Sequence, residues 1–302
     1  MKKNQAIREL MDKAAAKGTG LIGLGFCDLE SGEEYYINGD RLFPLASVYK
    51  IMTFCELMRW LKEGRIHLTD RIVLHEADKK GGSGILKEAP DGSEYSMKEY
   101  IDLMMQISDN TASDYLVRLV GKEAIYRDVI GPLHLDHTSI DLACEGLLAK
   151  YYANPNGYYT DPKTGRRVGN FRNSPYYTCE AERNIQSTPR DMLELLKALY
   201  QGRVVDPEND AAILNEMAQC QTNTRLPARL PEGTRVAHKT GTLDHLACDV
   251  GIVYTPAGNY ILSCFYNGNL ATEEEYTGSS YSEIGTGILA DLSYEVYQAY
   301  NA

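Results

Sequence analysis

The chain has 302 residues, 31 of them basic and 42 acidic, for a net charge of -11 at neutral pH. That length can bury a substantial core, and the acidic balance argues against a nucleic-acid backbone or a polybasic membrane contact as partner. No apolar run reaches the roughly 18 residues needed to cross a bilayer, and the opening MKKNQAIREL is amphipathic and charged rather than basic and then apolar.

Residues 4 to 17 read as a short amphipathic helix ending near Gly18. LIGLGFCDLESGEEYYING follows, two apolar runs around Glu30, Ser31 and Gly32, which is a hairpin pattern. Its glycines do not complete GxGxxG, because Asp28 stands where the third belongs. From Ser47 the period becomes helical, with Ile51, Phe54, Cys55, Met58 and Leu61 on one face and Gly64 as the stop. Ser96 and Glu99 form a capping box for a helix to about Ile107. The break Ser108-Asp109-Asn110 leads into a second helix that ends at Gly121.

The stretch 151 to 177, rich in Tyr, Asn, Gly and Pro, reads as a long irregular excursion of the functional or disordered kind. Thr188 then caps a helix with Pro189 at its first position. After Pro231 the texture becomes a three-strand antiparallel meander with a turn at Pro256, Ala257 and Gly258. A closing helix starts near Tyr281, with Ser280 and Glu283 as its capping box. Strands near both ends with helices between predict an α+β fold. Its antiparallel sheet comes from residues 1–45 and 233–302, flanked by helices, with an inserted helical subdomain at 46–232. No internal repeat is present.

Seven cysteines, at 27, 55, 144, 179, 220, 248 and 264, are an odd count without CxxC pairs. That pattern suits a reduced compartment. The expectation is cytoplasmic location as the sequence stands, with export behind a leader outside this sequence as the alternative.

FPLASVYKIM places Ser47 and Lys50 in apolar company, one helical turn apart. The bland explanation is an N-cap with a snorkelling lysine. The chemical one is a nucleophile with its base, since desolvation disfavours a lysine's charge and a helix start favours an oxyanion. SDN at 108–110 by itself reads as a capping turn. KTG occurs twice: at 163–165 it follows Asp161 and Pro162 in the irregular excursion and reads as a turn, while at 239–241 it ends a strand. There Gly241 would let a substrate approach the backbone.

SxxK, SDN and a C-terminal KTG in this order, with FPLASVYK, GSGIL, SDNTASDYLVRLVG, STPRDM and VAHKTGT around them, resemble the class A β-lactamases and their penicillin-recognising relatives, for which this trio is a known signature. The resemblance runs from about residue 20 to the closing helix. It implies a β-lactamase/transpeptidase-like fold and a serine hydrolase of the antibiotic-resistance kind. Ser47 would be the acylated nucleophile and Lys50 the group that takes or relays its proton. Ser108 would pass a proton to the leaving nitrogen, and Asn110 would hold Lys50 and the substrate amide. Lys239, Thr240 and Gly241, with Thr242 beside them, would bind substrate. The oxyanion hole would be the backbone N–H groups of Ser47 and Thr242. The partner would be a small molecule, a β-lactam or peptide-like carboxylate, bound by a monomer without cofactor.

The family pattern also has a Glu that activates water for deacylation, with an Asn four residues on. Glu180 and Asn184 have that spacing, but only five residues separate Asn184 from Pro189, far fewer than in the family. Anchoring on STPRDM instead puts the position near Phe171, Arg172 and Asn173, with no Glu. Glu180 is therefore the candidate base, and an exposed solubilising glutamate is the alternative. Without a base, acylation would still proceed but turnover would stall and leave a penicillin-binding or sensor-like protein; a peptidase or esterase for cell-wall fragments or small peptides is a further alternative. His238, His245 and Cys248 sit on alternating strand and turn positions with no fourth ligand in register, so no metal site is expected. A Ser-His-Asp triad would need a GxSxG elbow, and Ser47 lies between Ala46 and Val48. The tyrosine doublets at 151, 158 and 176 offer a groove lining or ordinary packing.

Overall fold

The computed structural model describes residues 2–17, 19–142, 157–161, 165–272 and 282–302. Helix α1 (Lys2–Ala16) leads into β1 (Leu21–Asp28) and β2 (Glu34–Ile37), joined by the expected turn. A short β3 (Phe43–Pro44) and a tight 3-10 turn over Ala46–Tyr49 precede α2 (Lys50–Lys62). The pair β4 (Arg71–Val73) and β5 (Glu94–Ser96) comes before α3 (Met97–Gln106), α4 (Asn110–Val120) and α5 (Lys122–Ile125). Then come β6 (Ser139–Ile140), β7 (Tyr158–Thr160), β8 (Arg167–Gly169) and β9 (Ile185–Ser187). Helices α6 (Pro189–Tyr200) and α7 (Pro207–Met217), strands β10 (Val236–Leu243), β11 (Leu246–Thr255) and β12 (Gly258–Asn267), and α8 (Glu283–Asn301) complete the chain.

The fold is α+β. One sheet, ordered β10-β11-β12-β1-β2, unites strands from both ends of the chain, and each pairing is antiparallel. Alternation along β1 sends Ile22, Leu24 and Phe26 to a core shared with Ile7 and Met11 of α1 and Leu289, Leu292 and Val296 of α8. The opposite face carries Ile252, Ile261 and Phe265 into a second core with Phe43 and with Leu193 and Leu196 of α6. That core continues around α2, whose first eight residues, Lys50 to Leu57, are all buried. Such a helix is central and leaves no face for a snorkelling charge.

The capping signals act as read at two helices. Ser96 accepts from Glu99 N–H while Glu99 reaches back to Ser96, and the Thr188 side chain accepts from Asp191 N–H. Elsewhere the structure differs. Ser47 belongs to the 3-10 turn ahead of α2 and not to the α-helix, and the second KTG lies inside β10 instead of ending it. Helix α8 begins at Glu283 behind Ser282, while Ser280 lies outside the described residues. The middle of the chain, though mostly helical, also holds short strands whose pairing partners are too distant for local periodicity to reveal, such as β9 between β3 and β6. Among the described residues no helix is long and apolar enough to cross a membrane.

Candidate active site

The turn that carries Ser47 is fixed from three sides. Leu45 N–H donates to Ile185 O of β9 at 3.1 Å, Val48 N–H donates to Leu45 O at 3.1 Å, and Lys50 N–H donates to Ser47 O. Ala46 takes φ +45°, a left-handed conformation that costs a non-glycine residue about 1–2 kcal/mol. β10 closes on this turn at Gly241, where a Cβ would stand 2.4 Å from Leu45 O and 3.2 Å from Ala46 Cβ. The glycine is required by the protein's own backbone, and not only by an approaching substrate as the sequence suggested. Its effect is to bring the half-buried Ser47 beside the strand that carries Lys239, Thr240 and Thr242.

Lys50 is fully buried, and its ammonium donates to Ser108 O at 2.8 Å, Asn110 Oδ1 at 3.0 Å and Ser108 Oγ at 3.1 Å. Lys239, also fully buried, donates to the same Ser108 Oγ at 3.0 Å and to Thr240 O at 3.2 Å. Residues from α2, the α3–α4 break and β10 thus converge on one hydroxyl. Burial pulls the Lys239 amine below its ordinary range, assisted by the charge of Arg225 and opposed by Asp249 and Cys220.

Asp109 holds the break open. Its buried carboxylate accepts from Ala112 N–H at 2.9 Å, capping α4, and from Ile85 N–H at 2.7 Å and Leu86 N–H at 3.0 Å. Gly84 lies so close that a Cβ there would stand 2.1 Å from the carboxylate, and its φ of +110° suits only glycine. Asn110 is gripped by the same segment, N–H to Ser83 O at 3.0 Å and Nδ2 to Gly81 O at 2.9 Å, which turns Oδ1 to Lys50. Ser108 itself has φ +60°. The GSGIL segment, noted only as flanking similarity, is the clamp on this loop.

Behind β10 lies a polar layer that sequence reasoning missed. Arg225, 2% exposed, donates to Cys248 O at 2.7 Å, Gly241 O at 2.9 Å and the Thr242 hydroxyl at 2.7 Å. Nothing in QTNTRLPARLP announces this role, because the partners are contributed by β10, by β11 and, through Thr286 Oγ1 at 3.2 Å from Arg225 Nε, by α8. His238 and Asp249 are paired at 2.9 Å, both buried. Burial alone pulls the imidazole down, but the charge and hydrogen bond of Asp249 outweigh it and raise His238 to about 10. His238 also holds the Cys220 thiol below its ordinary range against the opposing effect of burial.

The three residues weighed as metal ligands have separate partners: His238 pairs with Asp249, His245 with Tyr159 OH at 2.7 Å, and the Cys248 thiol with Pro44 O at 3.5 Å. Glu180 is exposed, and its carboxylate accepts from Thr178 Oγ1 at 3.0 Å. Asn184 is buried and donates to Tyr176 O and Gln186 Oε1, both at 2.9 Å. In the other register, Phe171 is buried against Tyr177, Arg172 donates to Ala271 O at 2.6 Å, and Asn173 is exposed. Of the first KTG, Lys163 and Thr164 lie outside the described residues, as does the tyrosine doublet at 151.

Two buried lysines on one serine hydroxyl, with SxxK and KTG supplying them, can be compared with known proteins. The family described as the beta-lactamase enzyme family matches residues 2–300. The chain belongs to the beta-lactamase enzyme family. Among curated relatives, the extended-spectrum beta-lactamase PER-1 of Pseudomonas aeruginosa is 23% identical over 97% of this chain and 86% of that protein. The beta-lactamase VEB-1 from the same organism is 24% identical over 90% of this chain and 83% of its own length. Among solved structures, a beta-lactamase from Sphaerobacter thermophilus superposes with a TM-score of 0.77 at 29% identity, covering 98% of this chain and 97% of its own. PBP-A shares the fold at a TM-score of 0.75 and 24% identity, with 98% of this chain and 96% of its own covered. The beta-lactamase fold and a hydrolase family are therefore established for this chain.

Proposed function

We propose that the chain is a serine β-lactamase of class A type, which forms a covalent ester on Ser47 with a β-lactam or a related carboxylate-bearing amide and then hydrolyses it. The observation that carries this reading is the shared hydroxyl of Ser108, which accepts from Lys50 at 3.1 Å and from Lys239 at 3.0 Å. Those contacts provide a proton path from the base beside Ser47 to the group beside the substrate.

In the first half-reaction Lys50, acting as the neutral amine, takes the proton of Ser47 as the serine oxygen bonds to the carbonyl carbon. The backbone N–H groups of Ser47 and Thr242 hold the resulting oxyanion. As the C–N bond breaks, the proton moves through Ser108 to the leaving nitrogen. Asn110 keeps Lys50 in line and meets the substrate amide, and Lys239 with Thr240 holds the substrate carboxylate. Arg225 orients Thr242 through its hydroxyl. In the second half-reaction water replaces the serine oxygen and restores the Ser47 hydroxyl.

A second reading, acylation without efficient turnover, is favoured by one observation: the Glu180 carboxylate is exposed and engaged by Thr178. Intact-mass measurement after adding a penicillin separates the two. A transient adduct, absent in Ser47→Ala, supports hydrolysis; a permanent one supports binding; no adduct rejects both.

A further inference from the structure

Among the described residues six cysteines are free, and one is set apart by its surroundings. Burial pushes Cys27 and Cys179 up to about 12 and raises Cys55, Cys248 and Cys264 further, which keeps those thiols inert. The Cys220 thiol instead hydrogen-bonds to the His238 ring. Nδ1 of that ring is 2.9 Å from Asp249 Oδ1, and Nε2 is 3.3 Å from Asn223 Oδ1. Asp249 is fixed in turn by Leu226 N–H at 3.0 Å. Thiol, imidazole and carboxylate thus stand in series as a nucleophile, its proton partner and an orienting group.

Cys220 follows α7 in a segment that touches both halves of the site. On one side Gln221 N–H donates to Gln106 O at 2.8 Å, and Gln106 ends α3 just ahead of Ser108. On the other, His238 precedes Lys239 in β10. Lys239 is fully buried, and among the described residues its ammonium meets Ser108 Oγ and Thr240 O but no carboxylate. The negative charges that favour its protonation against burial are those of Cys220 and Asp249, with Arg225 opposing them. The charged groups that act on the thiol are therefore His238 and Lys239 of β10, beside Asp249 of β11 and Arg225 of the loop, and Thr222 adds a backbone N–H.

We propose that Cys220, backed by His238 and Asp249, is a modification site for small peroxides, and that its oxidation weakens the Lys239 side of the cleft; the second part rests on the acyl-transfer reading above. The residue is 5% exposed, an opening that suits a reagent as small as hydrogen peroxide. The sulfur, as thiolate, attacks one peroxide oxygen; an S–O bond forms and the O–O bond breaks. Sulfur is oxidised to a sulfenic acid, and the departing oxygen, reduced to hydroxide, leaves as water with a proton from His238, which solvent replaces. The product is neutral and carries one more heavy atom in a packed site. The charge behind Lys239 is lost, and burial then disfavours the ammonium that would hold a substrate carboxylate.

In the test the full-length protein is treated with hydrogen peroxide for increasing times and then denatured, and the surviving thiols are blocked with N-ethylmaleimide and located by peptide mapping. Cys220 should be consumed at least about tenfold faster than Cys179, although Cys179 is the more exposed of the two. His238→Gln should slow Cys220 by about tenfold and leave Cys179 unchanged. Equal rates at the two cysteines of the wild type overturn the site, whatever the variant does. Acylation of Ser47 by a subsaturating penicillin, read by intact mass, should fall about tenfold after oxidation and recover with dithiothreitol. Cys220→Ser, which lacks the charge, should acylate slowly from the outset and be indifferent to peroxide. Selective loss of the Cys220 thiol with acylation unchanged, or peroxide sensitivity that persists in Cys220→Ser, overturns the link to Lys239. Untreated protein that is never acylated contradicts the acyl-transfer reading alone, and the site is then decided by the thiol rates.

Discussion

Lys50 and Lys239, from α2 and β10, donate to one atom, Ser108 Oγ, at 3.1 and 3.0 Å. Their nitrogens therefore lie within about 6 Å of each other, close enough for each charge to disfavour the other. That repulsion favours a neutral amine within the pair, and a carboxylate arriving beside Lys239 relieves it. Ser108→Ala removes the shared acceptor. Acylation is expected to fall by about 10²-fold or more, as for loss of a general acid–base group, with a thermal unfolding temperature that drops only modestly. Unchanged acylation by intact mass would reject Ser108 as the proton path.

The pair His238 and Asp249 makes stability depend on pH. The folded-state imidazole titrates at about 10, above its ordinary 6.5. Its contribution is therefore fully present below pH 6.5 and is lost as pH rises through about 10. Cys220, held low by the same ring, acts in the opposite sense, so the experiment is cleanest in a Cys220→Ala background. There the unfolding temperature should still decline as pH rises above 6.5, over a narrower span than with Cys220 present because the thiol also raises the imidazole, and His238→Gln should flatten that slope. An equal slope in both proteins would contradict the assignment.

Gly84→Ala should be among the most damaging surface-loop substitutions in the chain. It forces a Cβ to within 2.1 Å of the Asp109 carboxylate and places alanine at φ +110°. Relief requires Asp109 to abandon Ile85 and Leu86, and a buried carboxylate that loses partners costs on the order of 3 kcal/mol. Denaturant melts should show that loss, and acylation should fall because Ser108 and Asn110 flank Asp109. Wild-type stability would show that the loop is not the clamp.

Glu180→Gln should leave both the formation and the decay of the Ser47 adduct unchanged, since this carboxylate is exposed and bound by Thr178. Asp141 is already held by Tyr126 and Ser139. Glu145, five positions beyond β6, lies outside the described residues, and Glu145→Gln is the companion variant for the next carboxylate along. Slower decay in Glu180→Gln would contradict that expectation and support Glu180 as the base.

How much of this was legible in the sequence depends on the range of each interaction. Helix caps such as Ser96 with Glu99 involve neighbours, and local pattern found them. The meander of β10 to β12 was equally plain, since its hydrophobic alternation and turn residues are contiguous. Ser47, Lys50, Ser108, Asn110 and Lys239 were named from three motifs, and a motif cannot say that two lysines share one oxygen. Arg225 was invisible because its four acceptors come from other elements, and the contact of Tyr159 with His245 because 86 residues separate the two. For Gly241 the motif suggests substrate access, and the approach of Leu45 O is a second requirement that only the fold reveals.

The account is tested most directly by following intact mass over time after mixing with a penicillin, for the wild type and for Ser47→Ala. An adduct of the penicillin's mass should form and then disappear as hydrolysed drug accumulates, and Ser47→Ala should never carry it. Drug hydrolysis by Ser47→Ala at the wild-type rate, or a wild-type protein that never becomes modified while it consumes drug, would contradict the acyl-serine mechanism.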